Sequence, residues 1–568
     1  MKELRKNLFS IAFLLLMFPF SSCENEPEII PEIILAKEEI NFDATGGSSV
    51  LAIKSNLPWT ATSSQTWCTL NPVLGEAGTK QIAVEVTENA TGASREAIIT
   101  ITSGTLSKEV KVNQETVNFS IATKEYNIES TGGDIVVNIQ SSSAFTSTIQ
   151  QDWITLKSIS TDKKTQTYSV AENSSIIPRK GTITFVSGNN SDTVKVQQAA
   201  KPLNIPADAT GMGSNAKTLA AKMYMGWNLG NTLECPGNET GWGNPLTTQA
   251  FIDSVKAAGF NTIRIPCAWD SHMEDATTFK IKTSWLARVK EVVNYCYSNN
   301  MYIILNIHWD GGWLEENPTY AKQAEVNAKQ KAFWEQIAVN FRDYDERLLF
   351  AGTNEVHFGY GAPTTENITV QLSYNQTFVD AVRSTGGKNA YRNLVIQAYN
   401  TNINQAVSFL KIANDTQQNR LFVEVHYYDP WDFCGESGSN AVYFWGEEYK
   451  QYGKVSSWGQ ESYVPVQFNK MKTNFVDKGY PVILGEYSAT RRSSLVGDAL
   501  IHHLASRAYY FEYVTEQAKI YGLVPCYWDN GGIGNDASGL FNRNTKSVFD
   551  RQALNALMRG AAKGKYPF

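Results

Sequence analysis

Between residues 218 and 568 the chain repeats one pattern: a short apolar run, then a longer stretch with helical spacing. Eight runs read as strands: 223–231, 260–269, 301–309, 348–356, 393–400, 421–428, 481–489 and 523–531. Several are continuously apolar, as parallel strands covered on both faces must be. Stretches such as "TQAFIDSVKAAG" and "AKQKAFWEQIAVNFRDY" supply the helices between them. Eight such units predict a closed (β/α)8 barrel, the TIM-barrel architecture of the α/β class. A doubly wound sheet is the alternative, but "GWNLGN" after the first strand lacks the spacing of a phosphate-binding glycine loop.

The N-terminal part has a different texture. "ATGGSSVLAIKSNLPWTATSSQTWCTL" from Ala44 is matched by "STGGDIVVNIQSSSAFTSTIQQDWITL" from Ser130. "ASREAIITITSG" pairs with "IPRKGTITFVSG", and "VKVNQ" with "VKVQQ". Both copies alternate apolar and polar residues in short Val-, Ile- and Thr-rich runs between turn residues, the mark of two small Ig-like β-sandwiches. Trp67 and Trp153 fall at matching positions and are read as core, and Trp59 is a further candidate for either core or glycan contact. Before them, Lys2, Arg5 and Lys6 precede the apolar "LFSIAFLLLMFPF" and then "SSC", the layout of an export leader too short to span a membrane comfortably. The small residues before Cys23 resemble a lipobox, although Phe20 stands where Leu is usual, so Cys23 is expected to be lipidated; simple secretion is the alternative. The expected organisation is a lipoprotein signal peptide (1–22), a tether (23–34), sandwiches at 35–116 and 117–200, a linker (201–217) and the barrel (218–568).

Composition narrows the partners. A net charge of −6 with no basic stripe excludes an obvious nucleic-acid surface. Cys68, Cys235, Cys267, Cys296, Cys434 and Cys526 form neither a CxxC pair nor a zinc pattern. Cys267 and Cys526 read as buried thiols, with a disulfide left open for an exported chain. No metal and no cofactor is expected, and the chain is read as a monomer.

In a (β/α)8 barrel, chemistry sits at the C-terminal ends of the strands. Those ends carry Asn228 and Asn231, Arg264, His308, Asn354 and Glu355, His426 and Tyr428, Glu486, and Trp528 and Asp529. Each alone has a structural explanation; together on one rim they point to a site. Glu355 and Glu486, from strands four and seven, would face each other across the barrel mouth. Glycosidic cleavage uses such a pair: one carboxyl protonates the leaving oxygen, and the other attacks the anomeric carbon when the two stand roughly 5–5.5 Å apart. Arg264 and Tyr428 would keep Glu486 ionised as nucleophile, and Glu355 would be the protonated acid/base. Asn354 would bond the sugar 2-hydroxyl.

With these residues in view, "RIP" (264–266), "NIHWD" (306–310), "NEV" (354–356), "VHYYDPW" (425–431), "GEYS" (485–488) and "YWDNG" (527–531) resemble glycoside hydrolase family 5. "GWNLGNTLE" (226–234) and the His-Tyr-Tyr-x-x-Trp run resemble its subfamily 4, largely endo-glucanases and xyloglucanases. The sandwiches resemble the BACON domains of Bacteroidetes carbohydrate enzymes. By that resemblance Glu355 is the acid/base and Glu486 the nucleophile; Arg264, His308, Asn354, His426, Tyr428 and Trp528 complete the sugar site, with Trp528 as its aromatic floor. Two residues depart from the family pattern: Ala351 replaces a frequent acid, and Trp309 stands where a second histidine is common.

Asn231, Trp269, Trp309 and Trp313 are read as further sugar contacts, and Trp242, Trp431, Trp445 and Trp458 as candidate stacking platforms. The expected activity is retaining endo-β-1,4-glucanase action on plant cell-wall β-glucans at the cell surface, with xyloglucan-specific or dual glucanase/xylanase action as alternatives. A catalytically dead glycan-binding lipoprotein would be expected to lose Glu355 or Glu486, and a structural adhesin would leave the polar rim unexplained.

Overall fold

The computed structural model describes residues 29–568 apart from Val117 and Tyr360. The expected signal peptide, Cys23 and the start of the tether lie outside the described residues. No helix among the described residues is long and apolar enough to cross a membrane.

The repeat folds as two β-sandwiches. In the first, a four-stranded sheet (Ile33–Leu35, Gly47–Ser55, Gly78–Val86, Cys68–Asn71) faces a five-stranded sheet built around Arg95–Ser103 and Leu106–Gln114. The alternation seen in the sequence turns Leu51, Ile53, Ile82, Val84, Ile99, Ile101, Val110 and Val112 into a shared core. That sandwich begins at Ile33, inside the stretch expected as tether, because Ile33 pairs with Ser55 and is buried. The second sandwich repeats the plan with two four-stranded sheets.

The matched sequence motifs have a physical use. Arg95 Nε donates to Gln114 Oε1 at 2.8 Å and Nη2 to the Thr87 carbonyl at 2.8 Å. Arg179 does the same with Gln198 Oε1 and the Ala171 carbonyl, both at 2.8 Å. Each repeat thus carries one Arg–Gln clamp that ties a loop carbonyl to the last strand. Trp59 is buried in the first core, whereas Trp67 at that core's margin and Trp153 in the second sandwich are half-buried, Trp67 beneath the Arg95 guanidinium at 4.3 Å.

The C-terminal part is a closed parallel barrel of β1 (Gly226–Leu229), β2 (Thr262–Ile265), β3 (Tyr302–Asn306), β4 (Leu348–Ala351), β5 (Leu394–Gln397), β6 (Leu421–His426), β7 (Val482–Tyr487) and β8 (Leu523–Asp529). All eight lie within the apolar runs read as strands. Alternate residues point inward. Ile304, Leu349, Val395, Phe422, Ile483 and Val524 fill the lower interior. The outward set, including Trp227, Ile263, Leu305, Phe350 and Val425, packs against the surrounding helices.

The stretch expected as a linker (201–217) is docked on the barrel. Arg342 Nη2 donates to the Pro202 and Leu203 carbonyls at 2.7 and 2.9 Å, and Met212 is buried. Asn215 accepts from the Thr218 N–H and so starts the helix Ala216–Lys222. Ala216, Leu219, Ala220 and Met223 join the lower interior cluster and close the barrel floor. The apolar spacing of 216, 219, 220 and 223, one face of a helix, carries that signal in the sequence. The six described cysteines are free and buried.

Candidate active site

The inward alternation that fills the lower barrel with aliphatics turns polar one layer higher. Arg264 on β2 is two residues beyond Thr262, and Glu424 and His426 on β6 follow Phe422 at the same spacing. The Arg264 guanidinium is fully buried. Its Nε stands 2.8 Å from Glu424 Oε1, Nη1 donates to Glu486 Oε1 at 2.9 Å and Asn228 Oδ1 at 3.1 Å, and Nη2 donates to Asn354 Oδ1 at 2.8 Å. One planar cation therefore fixes side chains from β1, β6, β7 and the loop after β4. Gln397 on β5 donates to Glu424 Oε2 at 2.6 Å and accepts from the Thr353 N–H at 3.0 Å.

Strict alternation would send Glu486 outward, with Leu484. The β6–β7 and β7–β8 registers both slip after Leu484, and this irregularity turns Glu486 into the barrel. Gly485 leaves room for the Glu424 carboxylate: a Cβ there would lie 2.0 Å from Glu424 Oε1.

Glu355, His426 and Glu486 present ligand atoms that all lie within 4.8 Å of one another. His426 Nδ1 is 2.5 Å from Glu355 Oε1 and 3.7 Å from Glu486 Oε2, and the Tyr428 hydroxyl donates to Glu486 Oε2 at 2.9 Å. Asn306 contacts His308 Nδ1 at 3.0 Å, and the His308 ring lies parallel to Trp528 with centroids 5.9 Å apart. These groups line a cleft of about 820 Å³ that also includes Trp309, Glu315, Thr401 and Trp431.

Electrostatics here differ from the sequence expectation. Burial pushes the Glu355 carboxyl up, but the bond to His426 and its charge outweigh this and hold it below its ordinary range. Burial raises Glu486, and the neighbouring Glu355 charge adds to the rise against the pull of His426, Arg264 and Tyr428. Burial lowers His426, yet the surrounding Glu486, Glu355 and Glu424 carboxylates push it up to about 10. The order is thus reversed from a protonated Glu355 beside an ionised Glu486. The cause is the 2.5 Å contact between His426 and Glu355, which needs a proton between the two atoms. The Glu355–His426 pair, not Glu355 alone, holds the proton at neutral pH. Sequence spacing revealed no metal-ligand cluster, and the fold assembles this three-residue set from distant segments; a protonated His426 offers no lone pair to an ion.

Glu315 is a third buried carboxyl that the sequence did not single out. It accepts from Asn354 Nδ2 at 3.4 Å, and its Oε2 has no partner among the described residues. Burial first, then the Glu355 charge, raise it from 4.5 to about 8. The folded chain therefore binds this proton more tightly than the unfolded chain. The stability it contributes is complete below pH 4.5 and is lost as the pH rises through about 8. Glu315→Gln is expected to melt closer to wild type at pH 5 than at pH 8.5, where the variant gains a few degrees; a wild-type-minus-variant difference in Tm that does not change with pH would refute the assignment.

Not every predicted contact reaches the cleft. Trp269 is fully buried, with Nε1 donating to the Asn306 carbonyl at 2.9 Å, so it is a core residue and not a sugar platform. Trp313 packs edge-on against Phe333 at 5.5 Å under the Lys329 ammonium and borders a separate small cavity. Asn231 is a turn residue (φ 55°) whose N–H is held by Glu234 and whose carbonyl accepts from Asn244 at 2.8 Å. Trp445 is buried, its Nε1 donating to the Gly459 carbonyl at 2.7 Å. Trp242 and Trp458 are exposed but lie off the cleft wall, whereas Trp309 (37% exposed) and Trp431 (52% exposed) form part of it. Glu424 and Gln397 were missed as well; the two-residue spacing from Glu424 to His426 was their signal.

A parallel barrel whose rim sets two carboxylates this close, with a proton stored on the Glu355–His426 pair, over an open cleft, defines a retaining-type glycoside hydrolase framework. Comparison with known proteins supports the same class. The family model for cellulase (glycosyl hydrolase family 5) matches residues 228–534, and the BACON model, an N-terminal binding domain by description, matches 57–115 and 142–199. The chain belongs to glycoside hydrolase family 5. It is 34% identical over 562 residues to a xyloglucan-specific endo-beta-1,4-glucanase of Bacteroides ovatus, spanning 96% of this chain and 95% of that one. It is 40% identical over 376 residues to Endoglucanase A of Paenibacillus barcinonensis, covering 62% of this chain and 92% of that one. Among solved structures, a Bacteroides ovatus family 5 xyloglucanase with a XXXG heptasaccharide matches with a TM-score of 0.61 at 32% identity, over 94% of this chain and 100% of the other. A family 5 xyloglucanase from Paenibacillus pabuli matches at 0.58 and 40% identity, over 60% of this chain and 99% of the other.

Proposed function

We propose that the protein is a retaining endo-β-1,4-glucanase that cuts internal bonds of plant cell-wall β-glucans by double displacement. The observation that carries this reading is the approach of Glu355 and Glu486, with atoms within 4.8 Å, over Arg264. Glu486 attacks the anomeric carbon as the glycosidic C–O bond breaks. Glu355 delivers to the leaving oxygen the proton it shares with His426. Glu355 then takes a proton from water, whose oxygen displaces Glu486 from the sugar and restores both groups. Arg264 and the Tyr428 hydroxyl keep the Glu486 carboxylate aimed, and Trp528 and His308 form an aromatic wall for the sugar.

Xyloglucan is the substrate class to test first, because the relative that spans nearly the whole chain is specific for it and the cleft encloses about 820 Å³. Trp309 and Trp431, exposed on its wall, are the platforms for sugars beyond the reacting one. Reducing-end release from xyloglucan, barley β-glucan, carboxymethylcellulose, xylan and mannan is expected to be fastest on a β-1,4-glucan backbone. Xylan or mannan as the best substrate would overturn the glucanase reading. We further infer a monomer anchored to the outer membrane through lipid on Cys23, supported by the leader sequence; Cys23→Ala is expected to release active enzyme from the membrane fraction.

A further inference from the structure

The turn after β5 is built in a way that helix initiation alone does not explain. Asn400 (φ 49°) and Thr401 (φ 42°) both lie in the left-handed region. Asn tolerates that region; a β-branched residue does so only under strain. The backbone there has clear duties: Asn400 N–H donates to the Val356 carbonyl at 2.8 Å, and Asn402 Oδ1 accepts from the Asn404 and Gln405 N–H groups to start the helix Ile403–Phe409. Glycine or asparagine at 401 would serve those duties with less strain. What they would not supply is a hydroxyl on a stiff side chain at this point.

That hydroxyl is buried and faces the acid/base carboxyl. Thr401 Oγ1 donates to Glu355 Oε1 at 3.3 Å. His426 Nδ1 meets the same oxygen at 2.5 Å. Both hydrogen bonds to the Glu355 carboxyl therefore fall on Oε1, while a third of the side chain (34%) remains exposed. An oxygen that accepts two hydrogen bonds is fixed in place, and this sets which oxygen of the carboxyl faces the cleft. The strand-five turn also holds the segment after Glu355 in place: Tyr399 OH accepts from Phe358 N–H at 2.7 Å.

We propose that Thr401 is a positioning residue for the acid/base. With His426 it occupies Oε1 of Glu355, so that Oε2 is the oxygen turned into the cleft toward the leaving group. The 3.3 Å separation would shorten as the substrate closes the site. In the first half-reaction the proton that Glu355 shares with His426 passes through the carboxyl to the glycosidic oxygen as the C–O bond breaks, leaving Glu355 anionic beside a neutral His426 with the Thr401 hydroxyl donating to Oε1.

The proposal rests on Glu355 being the acid/base, and one experiment separates the two claims. Thr401→Val keeps the β-branch and removes the hydroxyl. kcat/KM reports the first half-reaction, which needs acid help for a polymer and none for 2,4-dinitrophenyl β-cellobioside, whose leaving group is stable as an anion. Thr401→Val is expected to lower kcat/KM roughly tenfold on polymer, the scale of one lost hydrogen bond, with the dinitrophenyl substrate within about twofold of wild type. Thr401→Ser is expected to recover the polymer rate, and Thr401→Ala takes the place of the valine variant should that one not fold. Equal losses on both substrates, no loss on polymer, or a serine variant as poor as valine would overturn the proposal. Glu355→Gln is the control: a larger split of the same kind upholds the acid/base reading even if Thr401→Val shows none, and equal loss on both substrates removes that reading itself.

Discussion

Glu486→Ala is expected to lower kcat on β-glucan polymers by about five orders of magnitude while leaving substrate binding and the melting temperature close to wild type. The side chain touches Arg264 and Tyr428 at 2.9 Å each and sits at the cleft floor, so its loss removes the attacking oxygen without opening the lower core. Binding persists because Trp309, Trp431 and Trp528 remain on the cleft wall. Affinity gel electrophoresis on the preferred glucan beside a reducing-sugar assay checks both halves. Full activity in the variant would remove the double-displacement mechanism.

The second large effect is on stability as well as rate. Arg264→Leu would leave Glu424, which is fully buried, and Glu486 without their cation. Removing one partner of a buried ion pair costs about 3–5 kcal/mol, because the other charge stays behind in a poor solvent. The variant is therefore expected to melt well below wild type and to lose nearly all activity, since Asn354 and Glu486 lose a common anchor. Adding Glu424→Gln should restore part of the stability, since the orphaned charge is gone, and none of the activity. Thermal melts of the single and double variants decide this. A double variant less stable than Arg264→Leu would show that Glu424 is not held by Arg264.

How much of this was legible in the sequence follows from the physics of each signal. The eight strands were visible because parallel strands buried on both faces must be apolar, and every one falls in a run read from composition alone. The residues brought together on the rim, including Arg264, His308, Asn354, Glu355, His426, Tyr428, Glu486 and Trp528, sat at or just beyond strand ends. The sequence misled where side-chain direction matters. Trp269 follows β2 closely, yet its indole turns into the protein to reach the Asn306 carbonyl. Glu486 reaches the interior only through the register slip beside Gly485, which no alternation pattern announces. The proton order in the pair was also invisible, because it depends on a 2.5 Å contact between residues 71 positions apart. Ala351, the residue read as a departure from the family pattern, is a small buried residue in the lower interior cluster.

The most direct test of the central claim is the configuration of the sugar released. If Glu486 forms a covalent intermediate across a gap this short, two inversions restore the starting geometry. Proton NMR of a fresh digest is therefore predicted to show the β-anomer of the new reducing end first, with the α-anomer growing in only by mutarotation. First appearance of the α-anomer would contradict the account.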